Sequence, residues 1–262
     1  MALDSHTHIY DDDTLAEYFS KAEGRVDRII TFPFWQESEL LRGLDMTLAF
    51  AERHKNVFAL GTIDMEGDIA SQLARHRELF QQKKIVGIKL YPGYQHFFPY
   101  DKRVDPVAAL CAEFGKPLVF HSGMTHGLIQ GCVLKYTKPE ALDEIAARHP
   151  TTNFVMCHMA YPDYMYAAAV LSKNANVFSD FSGIMCGEMD VPAYLDQNVA
   201  DLTGVFTHMT EIRDKIMFAS DYVGTDNYLN MVQPYFELYE RLFKESEREH
   251  MFHGLAEKLF LD

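Results

Sequence analysis

Basic residues are scarce in this chain: 24 lysines and arginines stand against 38 aspartates and glutamates, a net charge of −14. Nucleic acids and anionic membrane surfaces are bound through basic patches, so neither is expected as a partner. No apolar run approaches the ~20 residues of a membrane-spanning helix. The first residues lack the basic and apolar segments of a signal peptide, so secretion is not expected either. Cysteine is sparse, and Cys111, Cys132, Cys157 and Cys186 stand far apart with no Cys-x-x-Cys pair. They read as reduced thiols of a cytoplasmic protein, not as a disulfide framework or a zinc knuckle. Also missing is the G-x-G-x-x-G loop that usually follows an early strand of an open doubly wound sheet. The chain shows no linker, low-complexity tract or internal repeat.

What it does have is apolar material, 48% of 262 residues, enough for one large core. One domain over residues 1–262 is therefore expected. Eight strand-like segments recur at 2–8, 27–34, 57–64, 86–91, 117–121, 153–158, 176–181 and 216–221. Most are short, rich in Val, Ile and Phe, and bounded by Gly, Pro, Asn or Asp, as strands buried on both faces are. Amphipathic stretches lie between them. Residues 39–54 place Leu40, Leu41, Leu44, Leu48 and Ala51 near helical period, and 228–244 repeat that spacing. Pro139 and Glu140 open a helix over 139–148. Strand and helix thus alternate eight times, the pattern of a single (β/α)8 barrel of TIM type. Residues 247–261 read as a last short helix across the bottom or flank of that barrel.

Chemistry concentrates at the strand ends. His6 and His8 lie two apart in the first strand, so their imidazoles project to one side and form a ready divalent-metal chelate. His121, His158 and Asp221 each follow an apolar run that would otherwise be pure core. The C-terminal ends of barrel strands converge on one mouth, where active sites are built. All five residues are therefore expected in one site. Imidazoles with a carboxylate match the donor set of zinc, manganese or iron.

The whole chain resembles the amidohydrolase superfamily, in particular the amidohydrolase-related (type 2) branch that includes aminocarboxymuconate-semialdehyde decarboxylase. The resemblance rests on Gly87-Ile88-Lys89-Leu90-Tyr91-Pro92-Gly93-Tyr94 for the fourth strand and Gly115-Lys116-Pro117-Leu118-Val119-Phe120-His121-Ser122-Gly123 for the fifth. Asn176-Val177-Phe178-Ser179-Asp180-Phe181-Ser182-Gly183 is similar to the branch's seventh strand and Phe218-Ala219-Ser220-Asp221 to its eighth. One departure is Gly254-Leu255-Ala256, where the branch usually has Gly-Asn-Ala; it lies far from the metal motifs.

The resemblance implies a metal held by His6, His8, His121 and Asp221, with His158 orienting the metal-bound water or polarising the substrate carbonyl. Asp221, beside that water, is then the candidate general acid/base. One divalent ion is the first reading, zinc before manganese or iron. A second ion bridged by a carboxylated Lys89, as in binuclear members of the superfamily, is the alternative. Lys89 is read instead as an ammonium contacting substrate or a polar network.

Loops above the mouth should set specificity. Tyr91, Tyr94 and His96 are candidate substrate contacts; Trp35, Thr125, His126, Met185, Cys186 and Glu188 fit ordinary loop packing equally well. The acidic run Asp11-Asp12-Asp13 reads as a solvated turn with Asp13 or Thr14 capping a helix. Cysteine nucleophilic catalysis competes poorly, since Cys157 has only His158 as a neighbouring base.

The leading function is a metal-dependent hydrolase acting on an amide, ester or lactone of a small molecule. The alternative is a metal-dependent non-oxidative decarboxylase, and a second alternative is a metal-free small-molecule-binding barrel. Decarboxylases usually grip the substrate carboxylate with arginine, and only Arg42 and Arg103 fall near mouth positions. That tilts the sequence reading to hydrolysis. A homo-oligomer is compatible with the sequence but not specified by it.

Overall fold

The computed structural model describes residues 1–34, 40–125, 131–185, 190–224 and 229–262, with backbone alone at 40–42. Trp35, His126, Cys186, Glu188, Tyr228 and the side chain of Arg42 therefore lie outside the described residues.

Parallel strands β1 (Ala2–Thr7), β2 (Val26–Thr31) and β3 (Val57–Ala59) pair in that order. A second parallel series runs β4 (Gly61–Thr62), β5 (Ile88–Leu90), β6 (Leu118–Phe120), β7 (Phe154–Met156), β8 (Val177–Asp180) and β9 (Ile216–Met217). β3 and β4 are one barrel strand interrupted at Leu60. The Leu60 amide donates to Thr31 on one side, and the Gly61 amide donates to the Gly87 carbonyl on the other. The remaining seam joins β1 to the end of β9 through a parallel bridge between Thr7 and Tyr222 and an Asp221 amide bond to the His6 carbonyl. The ring is the (β/α)8 barrel expected from the alternation.

The ladders are shorter than the apolar runs that announce them. β6, β7 and β9 stop at Phe120, Met156 and Met217, so His121, His158 and Asp221 stand beyond the paired residues. A strand regular to its tip would fix side-chain directions by alternation alone. Past Met156 and Met217, His158 (φ 62°) and Asp221 (φ 61°), the latter still bonded through its amide to the His6 carbonyl, adopt left-handed backbone that non-glycine residues seldom use.

Helices clothe the ring: α1 (Asp12–Lys21), α2 (Leu40–Ala51), α3 (Ile69–Gln81), α4 (Asp105–Glu113), α5 (Glu140–Arg148), α6 (Tyr164–Lys173), α7 (Val191–His208), α8 (Gln233–Leu242) and α9 (Glu245–Glu249). Asp11, not Asp13 or Thr14, caps α1: it is the last extended residue, so its carboxylate reaches the Thr14 amide at 2.8 Å. α8 begins later than periodicity suggests because Pro234, which lacks an amide hydrogen, fits only in a first turn. No described helix is long and apolar enough to cross a membrane.

Past α9 the chain continues in π-helical turns at His250–Gly254 and Glu257–Leu261. Leu255, Ala256, Leu259 and Phe260 are buried against Leu3, Ile30, Leu60, Val119, Val155 and Met217 from the barrel interior. This segment plugs the bottom of the barrel. The opposite end is left to polar residues.

Candidate metal centre

β1 supplies His6, and His8 follows just past its end; both point into the mouth. His6 Nε2 lies 3.2 Å and His8 Nε2 3.3 Å from Asp221 Oδ1. Asp4 does not follow them. An irregularity between Asp4 and Thr7 turns its carboxylate outward. There it accepts from Tyr18 and Ser220 hydroxyls, both at 2.6 Å, and from the His6 and Ser220 amides. Asp4 thus ties β1 to the segment after β9 and holds His6 and Asp221 in register.

The ring of His158 is 5.1 Å from that of His6 and 5.1 Å from that of His121, so all five expected residues share one cluster. Hydrogen bonds assign the tautomers. His8 Nδ1 faces the Phe32 carbonyl at 3.1 Å and His158 Nδ1 faces the Ser182 carbonyl at 2.7 Å. A carbonyl only accepts, so each Nδ1 carries the hydrogen and each Nε2 offers a lone pair to the mouth. His121 Nε2 is buried and has no hydrogen-bond partner among the described residues.

Charge states agree. Burial pushes the imidazoles down, His6 to about 3, His121 well below its ordinary value, and His158 in the same direction. Burial acts upward on the Asp221 carboxyl, but His6, His8 and His158 outweigh it and hold the group far below the usual carboxylate range. Burial that disfavours the protonated form of His6, His121 and His158, beside a carboxylate that stays ionised, suits a divalent cation. His6, His8 and Asp221 bring one donor atom each within 4.8 Å of one another. Those three donors fit a divalent ion, and the buried His121 nitrogen without a partner among the described residues leaves a further lone pair in the same ring cluster.

Lys89 is buried beneath this cluster. Its ammonium donates to Cys157 Sγ at 2.7 Å and lies 5.0 Å from the Phe32 ring centroid and 5.3 Å from that of Tyr91. Burial pushes the Cys157 thiol up, though Lys89 opposes it. Sequence reasoning found neither that pairing nor the roles of Asp180 and Ser182. Asp180 accepts from the amides of His158 and Ser182, and the Ser182 hydroxyl sits between His6 and His158. The signal was present in the Asp180-Phe181-Ser182-Gly183 motif, but only the neighbouring strands give it a meaning.

Aromatic rings wall the cluster. His6 stacks on Phe32, His8 meets Phe32 and Phe34 edge-on, and Tyr94 meets His121 edge-on at 4.8 Å. The Tyr91 hydroxyl donates to the Pro33 carbonyl and its ring is edge-on to Tyr94. His96 is not brought in: it is exposed, stacked on Tyr136 and bonded to the Gly131 carbonyl. Arg103 is likewise committed elsewhere, to Asp101 and the Met65 carbonyl.

Histidines and an aspartate gathered at the mouth of a parallel barrel define a class of metal-site barrel proteins. The amidohydrolase family model matches residues 31–261, and the chain belongs to that family. Its type 2 branch is the one whose motifs the sequence carries. No curated protein matches the chain significantly in sequence. Among solved structures, an uncharacterised TIM-barrel protein from Bordetella bronchiseptica superposes with a TM-score of 0.70 at 17% identity, covering 98% of this chain and 97% of that one. The 5-carboxyvanillate decarboxylase of Novosphingobium aromaticivorans, complexed with manganese and 4-hydroxy-3-methoxy-5-nitrobenzoic acid, gives 0.69 at 15% identity over 97% of this chain and 81% of that one. A probable 2-pyrone-4,6-dicarboxylic acid hydrolase from Acinetobacter baumannii, with citric acid bound, gives 0.68 at 12% identity over 100% and 99%.

Proposed function

We propose that this chain is a metal-dependent enzyme that removes a carboxyl group, without oxidation, from a planar hydroxylated carboxylic acid. The observation carrying the proposal is the aromatic wall around the ligand cluster, formed by Phe32, Phe34 and Tyr94. Ring faces and edges around a charged centre suit a flat unsaturated acid better than a flexible one. The manganese-bound decarboxylase among the structural neighbours, with a benzoic acid in its complex, supports the same choice. This reverses the order expected from arginine content.

A divalent ion held by His6, His8, His121 and Asp221 would supply Lewis acidity toward the substrate's oxygen atoms. The chain's own residues do the rest. The half-buried Phe34 and Tyr94 orient the ring, Phe32 backs the His6 imidazole from within the core, and the buried Lys89 adds positive charge behind the ligands. Loss of carbon dioxide leaves a carbon that needs one proton. Asp221 is placed to carry it, and the His158 Nε2 faces the substrate side while Nδ1 is anchored to Ser182.

Hydrolysis of a lactone, ester or amide is the second reading, favoured by the commitment of Arg103 to Asp101, which leaves it unable to clamp a carboxylate. In that reaction Asp221 takes a proton from the attacking water and passes it to the leaving group. The deciding experiment combines elemental analysis with a substrate panel on protein loaded with zinc or manganese. Hydroxylated aromatic acids should release carbon dioxide in a 1:1 ratio with the decarboxylated product. Acid release from lactones or amides without carbon dioxide would replace the first reading by the second. A protein that binds neither metal would leave the metal-free barrel.

A further inference from the structure

Ser182 follows β8, at the point where the barrel brings the end of β1 beside the turn after β7. Its Oγ lies 3.0 Å from His6 Nδ1, 3.0 Å from His158 Nδ1 and 2.5 Å from Asp180 Oδ1. A hydroxyl owns one proton, and an ionised carboxylate can only accept. The shortest of the three contacts is the one to Asp180, so the proton lies there. Both imidazole Nδ1 atoms must then donate, His6 to the Ser182 hydroxyl oxygen and His158 to that oxygen and to the Ser182 carbonyl. Asp180 is itself fixed, since Oδ1 also accepts the His158 amide at 3.0 Å and the Ser182 amide at 2.9 Å. The backbone beyond is equally constrained: a Cβ at Gly183 (φ +67°) would lie 2.6 Å from Asp221 Oδ2 and 2.9 Å from His158 Nδ1.

We propose that Ser182, anchored by Asp180, is a positioning residue that holds the metal ligand His6 and the proton-handling His158 in the Nδ1–H form together. The hydroxyl's orientation thereby determines that the His6 Nε2 lone pair faces the mouth, and it reinforces at His158 the tautomer that the Ser182 carbonyl already sets. His6 and His158 are coupled: neither ring turns without giving up its share of the same oxygen. Outer partners of this kind orient metal-ligating imidazoles and raise their basicity. The inference rests on the metal-centred reading of the site but not on the choice between decarboxylation and hydrolysis.

The test uses 15N-labelled imidazoles observed by NMR in the chelator-treated protein at neutral pH, with zinc dissociation constants from competition titration. In the unaltered chain His6, His8 and His158 should all report the Nδ1–H form. Ser182→Ala should convert His6 to a mixture of tautomers and weaken zinc binding by ~10–100-fold, the usual effect of losing an outer-shell partner. His8 should not change, because its Nδ1 donates to the Phe32 carbonyl. Ser182→Thr, which keeps the hydroxyl, should restore the His6 tautomer. An unchanged His6 signal and zinc affinity in Ser182→Ala would overturn the inference, as would an equal disturbance of His8. If Ser182→Ala does not fold, Asp180→Asn decides: it keeps an acceptor oxygen but loses the charge, and undiminished zinc affinity there would refute the proposal. Failure of the unaltered chain to bind zinc would instead strike the metal reading, while the metal-free tautomers still test Ser182.

Discussion

At the scale of residues, the five side chains of the cluster divide by what surrounds them. Asp221 touches both His6 and His8 through one oxygen, and the proposed function asks it to serve ligation and proton transfer at once. Asp221→Asn should keep part of the bound metal, since an amide oxygen still coordinates, yet lose nearly all turnover because it cannot accept a proton. His158→Ala should retain the metal and slow kcat by ~10²-fold or more, the usual worth of a positioned acid–base group. Metal content and kcat on the same preparations check both, and loss of one of two bound ions in His158→Ala would mark a binuclear centre. Gly183 gives a sharper steric test. Gly183→Ala would need a left-handed alanine costing about 1–3 kcal/mol and would press on Asp221 and His158. Thermal unfolding should show that loss together with collapsed activity, and a fully active Gly183→Ala protein would mean that the segment yields.

At the scale of elements, the two ends of the barrel are filled in opposite ways. The segment after α9 buries Leu259 and Phe260 among apolar side chains from β1, β2, β6, β7 and β9. Phe260→Ala should therefore cost about 3–5 kcal/mol in denaturant unfolding while leaving metal affinity within a few-fold of the parent. A variant that lost metal and stability together would show that the bottom plug and the mouth are not independent. Strand termini were readable because each apolar run ends abruptly in one polar residue. Where the ladder stops was not readable. The irregularity that sends Asp4 outward, and the left-handed turns at His158 and Asp221, depend on what the neighbouring strands offer as partners.

At the scale of the whole molecule, buried histidines make the metal-free protein acid-sensitive. His6 is held at about 3 and His76, on α3, at about 4, both chiefly by burial, and His121 and His158 are lowered too. Each binds fewer protons folded than unfolded, so its contribution is present above about 6.5 and lost as pH falls through the window beneath it. Asp4 acts in the opposite sense: burial raises it to about 6, so it gains stability as pH falls through that value. Four rings outweigh one carboxyl. The melting temperature of chelator-treated protein should fall between pH 7 and pH 5, and His76→Gln, remote from the mouth, should flatten the slope. A melting temperature that held steady or rose toward pH 5 would contradict the buried neutral state of these rings.

The sequence by itself determined the alternation of strand and helix, the barrel it closes into, and the positions at which metal-ligating side chains interrupt apolar runs. Those are local properties: period two places His6 and His8 on one face, and a run such as Leu118-Val119-Phe120 ends where His121 begins. Only the tertiary structure decided which groups meet. Ser182 joins His6 across 176 positions and Lys89 finds Cys157 across 68, contacts that exist because closing the ring sets those strands side by side. It also decided that His96 bonds the Gly131 carbonyl and Arg103 the Met65 carbonyl, distant loop atoms that no periodicity records. Periodicity reports which face a residue occupies; the neighbour on that face is fixed by strand order and register, which exist only once the barrel has closed.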